Sequence, residues 1–196
     1  VRVLFLIEDT LPINITSKFG AIVFRLLGRL SKSHITAIQN CHFVFPHLTN
    51  KEVRYIVLKS WENLGKTIFE LGILKKILNT NNLIQTEGLH NIKEILEKKT
   101  PTIFFGIHHS NWEIGLPILD RIGMNVGGIY RHINNHLIDR FVLSLRTDSL
   151  KTSKSFYTPK GKQSARDILE AVKNNNSFLL LVDQKDSAGE NVFLFN

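Results

Sequence analysis

The stretch Thr102-Ile-Phe-Phe-Gly-Ile-His-His-Ser-Asn-Trp-Glu113 decides the fold of this chain. Its first half, set off by Pro101, is a short apolar run without polar alternation. Such a run predicts a strand buried on both faces, the kind found in parallel sheets covered by helices. It passes directly into the polar cluster His108-His109-Ser110-Asn111-Trp112-Glu113. A second run of the same character, Ser177-Phe-Leu-Leu-Leu-Val182, passes into Asp183-Gln184-Lys185-Asp186, and a shorter strand, Gly128-Ile129-Tyr130, leads to Arg131 and His132. Helical spacing over Leu89–Lys98 and Ser164–Lys173 precedes the two strong strands. Strands alternating with helices imply a largely parallel sheet. Ligands of open parallel sheets bind beyond the carboxyl ends of the strands, so the three polar clusters are expected along one edge.

Towards the N-terminus, up to about residue 80, the apolar spacing is mostly helical. From Ser17 to Lys32, the basic residues Lys18, Arg25, Arg29 and Lys32 recur at intervals of seven, four and three, opposite Phe19, Ile22, Val23, Leu26, Leu27 and Leu30. This basic amphipathic helix suits two placements: in a bilayer interface with cations near lipid phosphates, or packed by its apolar face on its own domain. Thr49-Asn50-Lys51-Glu52 is a capping-box pattern, and the stripe Val53, Ile56, Val57, Trp61, Leu64 and Ile68 that follows reads as core. The expected fold is therefore a single α/β domain over 1–196. It has a helical segment over 1–80 and, over 81–196, a mainly parallel sheet flanked by helices.

Composition narrows the partners. The 196 residues are 43% hydrophobic, enough for one sizeable core, and 25 Lys+Arg against 17 Asp+Glu give a formal charge of +8. An acidic partner follows, be it nucleic acid, anionic membrane or acidic protein. Cys41 is alone, which excludes an intramolecular disulfide and a cysteine-rich zinc site. Charges at Glu8, Lys18, Arg25 and Arg29 interrupt every apolar run short of the roughly 18–20 residues a spanning helix needs. The sequence stops at Phe195-Asn196 just after an apolar stretch, which reads as a C-terminal truncation.

Two chemistries fit the first cluster. A histidine ending a strand and a carboxylate five residues on, in the first turn of a helix starting near Ser110, can form the base half of a triad. His108 would take a proton from a substrate hydroxyl while Glu113 fixes the tautomer. Ser110-x-x-Glu113 is equally a capping box in which Glu113 only closes the helix terminus. His108, His109 and Glu113 with His132 and His136 also offer donors for a metal-dependent hydrolase, although neighbouring strand residues point to opposite faces. The basic stretch Arg131–Lys173, in which Phe156 and Tyr157 sit, admits a nucleic-acid binder, but no nucleic-acid motif accompanies it.

Gly106-Ile-His108-His-Ser-Asn111-Trp112-Glu113 resembles the HxxNWE block of the bacterial lipid A late acyltransferases, the lauroyl/myristoyl transferases. Four further blocks agree in order: Asn40...Phe45-Pro46; Glu87-Gly88-Leu89; Tyr130-Arg131 with Asn135, Asp139 and Arg146; and Asp183-Gln184...Gly189...Val192-Phe193. The departures are His109 where the family usually has Phe or Leu, Ser110 where it has Gly, and His132 where it has Pro. The resemblance implies a glycerolipid-acyltransferase-like fold and transfer of a fatty acyl chain from acyl carrier protein to a hydroxyl of a lipid A precursor. The transfer would take place on the cytoplasmic face of the inner membrane. It makes His108 the general base and Glu113 its partner, and assigns Asn111, Arg131, Arg146, Asp183 and Gln184 to substrate binding, without metal or other cofactor. It also implies a family segment beyond the DQ block that is missing here, so an inactive truncated remnant is the alternative.

Overall fold

The computed structural model describes residues 11–184; Lys185, Asp186, Gly189, Val192, Phe193 and the stop at Asn196 lie outside them. Four short strands, β1 (Ile103–Gly106), β2 (Val126–Tyr130), β3 (Phe156–Pro159) and β4 (Ser177–Leu181), pair in parallel in the order β1-β4-β2-β3. The fold is α/β, as the alternation predicts. The last strand in sequence thus lies between the first two, and its register sets Gly106 opposite Leu181. Continued by the bond from the Val182 amide to the Gly106 carbonyl (3.1 Å), that register brings residue 108 beside residue 183 at the carboxyl edge of the sheet.

Sequence spacing missed β3 and the helix before it. Phe156-Tyr-Thr-Pro is only four residues long, too short for a periodic signal, whereas the helix His136–Asp148 does carry a helical stripe, Leu137, Ile138, Phe141, Val142 and Leu145, behind the Asn135 cap. Their presence changes the reading of two aromatic residues. Phe156 packs edge-to-face on Phe178 at 5.7 Å, and Tyr157 is a half-buried strand residue rather than a surface ring free to interleave with bases. β1 also differs from expectation. Ile103, Phe105 and Ile107 are 46%, 71% and 58% exposed, so β1 is an edge strand with one face uncovered by the described residues.

The N-terminal half is helical. α1 (Ile13–Leu27) crosses α3 (Asn50–Gly72), with α2 (Lys32–Val44) between them in sequence. α3 starts where the capping box predicts: the Glu52 carboxylate accepts from the Thr49 amide (2.8 Å), and Thr49 Oγ1 accepts from the Glu52 amide (3.4 Å). Its core stripe is narrower than expected. Val53 and Val57 are buried with Cys41, Ile56 and Trp61 pack against them in part, and Ile68 is exposed.

α1 meets α3 through its small residues. Thr16, Gly20 and Ala21 are buried, and the backbones approach so closely that a Cβ on Gly20 would lie 2.4 Å from the Gly65 carbonyl oxygen. Phe19 and Phe24 flank this contact edge-on to Phe69 of α3, at 5.6 and 6.5 Å, while Phe19, Ile22, Leu26 and Leu27 each remain more than half exposed. The helix stops short of Lys32. Gly28–Leu30 tightens into a 3₁₀ turn where Gly28 lies against the Trp61 ring, and the Ser31 hydroxyl, accepting from the Ser33 amide (3.0 Å), caps α2. After α3 come α4 (Leu74–Asn79), a 3₁₀ turn at Leu89–Ile92, α5 (Lys93–Lys98), α6 (Gly115–Arg121), α7 (His136–Asp148) and α8 (Lys162–Lys173). The expected helix over Leu89–Lys98 is therefore split. Among the described residues no helix is long and apolar enough to cross a membrane.

Candidate functional site

At the carboxyl edge of the sheet, the Asp183 carboxylate holds His108 twice. Oδ2 accepts from the His108 backbone amide (2.8 Å), and Oδ1 lies 2.7 Å from ring Nδ1. Burial works against ionisation of Asp183, but the bonds from the His108 ring and backbone outweigh it and hold the carboxyl below its ordinary range. An ionised carboxylate only accepts, so Nδ1 carries the proton of this bond, and in the neutral ring Nε2 is the nitrogen with the lone pair. The Gln184 side-chain nitrogen lies 3.1 Å from Nε2, where it can donate to the neutral ring. The imidazole also packs edge-on to Trp112 at 5.2 Å.

Glu113 has a different partner. Buried to 8% exposure, its carboxylate accepts from Arg146 Nε (2.8 Å) and Nη2 (2.6 Å), a bidentate pair between α7 and the loop after β1. Burial opposes charge on Arg146, and the Glu113 carboxylate overrides it and raises the guanidinium pKa. The expected His108–Glu113 pair is thus replaced by two separate pairs, His108–Asp183 and Glu113–Arg146. The local cause is Ser110, whose φ of +50° turns the chain before any helix begins. A 3₁₀ turn at Trp112–Ile114 follows, capped by Asn111 Oδ1 accepting from the Glu113 amide (3.1 Å), so the cap is Asn111 and not a Ser110/Glu113 box.

Asn111 is held at both ends, since its amide also donates to Glu70 (2.7 Å), which accepts from Ser17 Oγ as well (2.6 Å). The Ser110 carbonyl accepts from Asn63 Nδ2 (3.0 Å) and Thr67 Oγ1 (3.1 Å). Asn63, Thr67 and Glu70 therefore clamp the loop from α3. Sequence reasoning passed over them, although their spacing of four and three marks one helix face. Arg131 is exposed and makes no hydrogen bond among the described residues, whereas His132 pairs with Asp139 (2.7 Å). His108, His109, Glu113, His132 and His136 do not converge: among the described residues no three His, Cys, Asp or Glu are placed to hold a metal ion.

The positive φ at Ser110 falls where the resembled family carries glycine. Left-handed backbone costs a side-chain-bearing residue roughly 1–2 kcal/mol, partly offset by the entropy a glycine adds to the unfolded chain. Ser110→Gly is expected to stabilise the fold by about 0.5–1 kcal/mol in urea denaturation, because the clamp uses only the Ser110 carbonyl. An unchanged or lower midpoint would show that the loop carries no strain there.

The family model for bacterial lipid A biosynthesis acyltransferases matches residues 1–195. The chain belongs to that family. It is also 27% identical over 147 residues to the lipid A biosynthesis lauroyltransferase of Escherichia coli strain K12, a match covering 71% of this chain and 46% of that relative. The chain thus spans less than half the length of the curated relative it matches. Within the family's HxxNWE block, the structure separates two tasks: the histidine sits at the open edge beside the DQ block, while the asparagine and glutamate are tied into the scaffold.

Proposed function

We propose that this chain moves a fatty acyl group from acyl carrier protein to a hydroxyl of a lipid A precursor, with His108 as general base and Asp183 as its orienting carboxylate. The observation that carries the reading is the placement of His108, with Nδ1 2.7 Å from the Asp183 carboxylate and Nε2 beside Gln184, so that the neutral ring held there offers its lone pair at Nε2. The acceptor hydroxyl takes the place of the Gln184 amide at Nε2 and gives up its proton as its oxygen attacks the thioester carbonyl. Collapse of the tetrahedral intermediate breaks the C–S bond, and the proton on Nε2 passes to the departing thiolate. The products are an ester and the free thiol of the carrier. A thioester is already activated, so proton transfer and orientation suffice, with no metal or redox cofactor. In this reading Glu113 and Arg146 brace the loop that carries His108, and Arg131 is left at the edge for the carrier's phosphopantetheine.

Incubating the chain with an acyl-carrier thioester and a lipid A precursor is expected to yield ester and free thiol in equal amounts. Absence of both, or free fatty acid independent of acceptor, would overturn the reading and favour the inactive remnant or a hydrolase.

The membrane is part of the proposal. α1 turns glycine towards α3 and leaves Phe19, Ile22, Leu26, Leu27 and, beyond it, Leu30 exposed beside Arg25 and Arg29, the arrangement an anionic bilayer surface receives. Co-sedimentation with vesicles containing anionic phospholipid is expected, with several-fold loss on reversing Arg25 and Arg29 to Glu. Equal binding by parent and variant would remove the electrostatic part of this surface.

A further inference from the structure

A cleft of about 520 Å³ opens beside His108, between the loop after β1 and the middle of α3. Tyr55, Lys59 and Ser60 stand on the α3 side, and His108, His109 and Trp112 on the loop side. No carboxylate lines it. Lys59 is the cleft's permanent cation; its ammonium lies 5.6 Å from the centre of the Tyr55 ring and 2.7 Å from Glu62, one turn along α3. Glu62 is shared, since Arg25 of α1 reaches its other oxygen at 2.5 Å. One carboxylate between two cations leaves a net positive charge at the mouth of the cleft.

The group that loses its proton to His108 must bring a hydroxyl to about 2.6–3.2 Å from Nε2, so this adjoining space is within reach of the part of the acceptor that carries that hydroxyl. Aromatic rings with hydroxyl and imidazole donors suit a polyhydroxylated ring better than a hydrocarbon tail, and a lysine whose one carboxylate is shared with Arg25 keeps part of its charge for a phosphate. The basic residues that the motif pattern offers for phosphate are placed elsewhere: the Arg146 fork is occupied by Glu113, and Arg131 does not line the cleft. We infer that this cleft is the acceptor subsite, in which Lys59 binds a phosphate ester carried on the sugar that bears the reacting hydroxyl. The inference rests on the acyltransferase reading for the identity of the reaction, but its test does not need turnover.

Trp112 reports on the cleft, and Trp61→Phe leaves it as the chain's one tryptophan. In that background, glucosamine 1-phosphate is expected to change Trp112 fluorescence with about fivefold higher affinity than glucosamine, the factor for an ion pair worth about 1 kcal/mol in a solvent-accessible site. Isothermal titration of the otherwise unaltered chain gives the same comparison without the Trp61 change. Lys59→Gln should abolish the preference, Lys59→Arg should keep it, and Glu62→Gln, which frees Lys59, should keep or raise it. A preference that survives Lys59→Gln, or that Glu62→Gln removes as well, overturns the subsite, as does no preference in the parent. Phosphate discrimination through Lys59 in a chain that transfers no acyl group would retain the anion site and refute only the acyltransferase reading.

Discussion

Replacing His108 with alanine is expected to lower acyl transfer by about 10²- to 10⁴-fold, the range a positioned general base contributes, with little change in folding stability. The ring lies at the open edge of the sheet, and what it contacts, Asp183, Gln184 and Trp112, is itself in reach of solvent and not fully buried, so removing it leaves no fully buried group unpaired. Asp183→Asn tests the other half of the pair. The amide removes the charge that stabilises the imidazolium, and it turns Nδ1–H into a poorly held donor or reverses the tautomer, for a loss approaching about 10⁴-fold if tautomer control is complete. Glu113→Gln should lack that signature, because Glu113 does not touch the imidazole. Steady-state rates of thiol release for the three variants decide the matter. Normal turnover in His108→Ala would end the general-base assignment, and normal turnover in Asp183→Asn would leave His108 without its proposed partner.

The pH dependence has a definite sign. Asp183 titrates below its ordinary range in the folded chain, so its contribution to stability is present above the unfolded carboxyl pKa of about 3.9 and is lost as pH falls through the lower folded value. Through the neutral range the carboxylate is therefore constant, and any change in rate there reports the base and not its holder.

How far the sequence could be read depended on whether a feature was local. β1, β4 and α8 announce themselves through contiguous apolar runs or amphipathic spacing, and the α3 capping box spans four consecutive residues. The carboxyl-edge rule places residues 108, 131 and 183 at one end of the sheet. The partner of His108 was less accessible. Glu113 is near in sequence and Asp183 is 75 residues away, and only the β1–β4 register makes the distant carboxylate the neighbour. A single left-handed residue, Ser110, was enough to detach Glu113 from the expected helical first turn. α1 misleads in another way. Its apolar stripe is real, but amphipathic spacing does not say which stripe faces the protein, and the Gly20–Gly65 approach selects the small-residue face. That approach was written in the sequence only as two glycines 45 positions apart.

Arg146→Ala is expected to be among the most destabilising single changes in the chain, at about 3–5 kcal/mol, because it leaves the Glu113 carboxylate buried without the guanidinium that satisfies both its oxygens. Glu113→Gln should cost less. The amide oxygen still accepts one N–H, while Arg146, itself only 18% exposed, loses its counter-charge. Removing the pair together, as Glu113→Gln with Arg146→Met, should recover part of the loss, since two desolvated charges are replaced by a neutral amide and an apolar chain of similar reach. The cycle of two single variants and the double variant, followed by urea denaturation, measures the coupling, expected at about 1–3 kcal/mol for groups in direct contact. The same cycle separates structure from chemistry. If the pair only holds the loop against α7, turnover per folded molecule should return in the double variant along with stability. If Glu113 takes part in the reaction, turnover per folded molecule should fall in Glu113→Gln, and the double variant should stay inactive however well it folds. Coupling below about 0.5 kcal/mol would show that the bidentate pair is not what fixes the His108 loop, and the clamp from Asn63, Thr67 and Glu70 would then have to hold it alone.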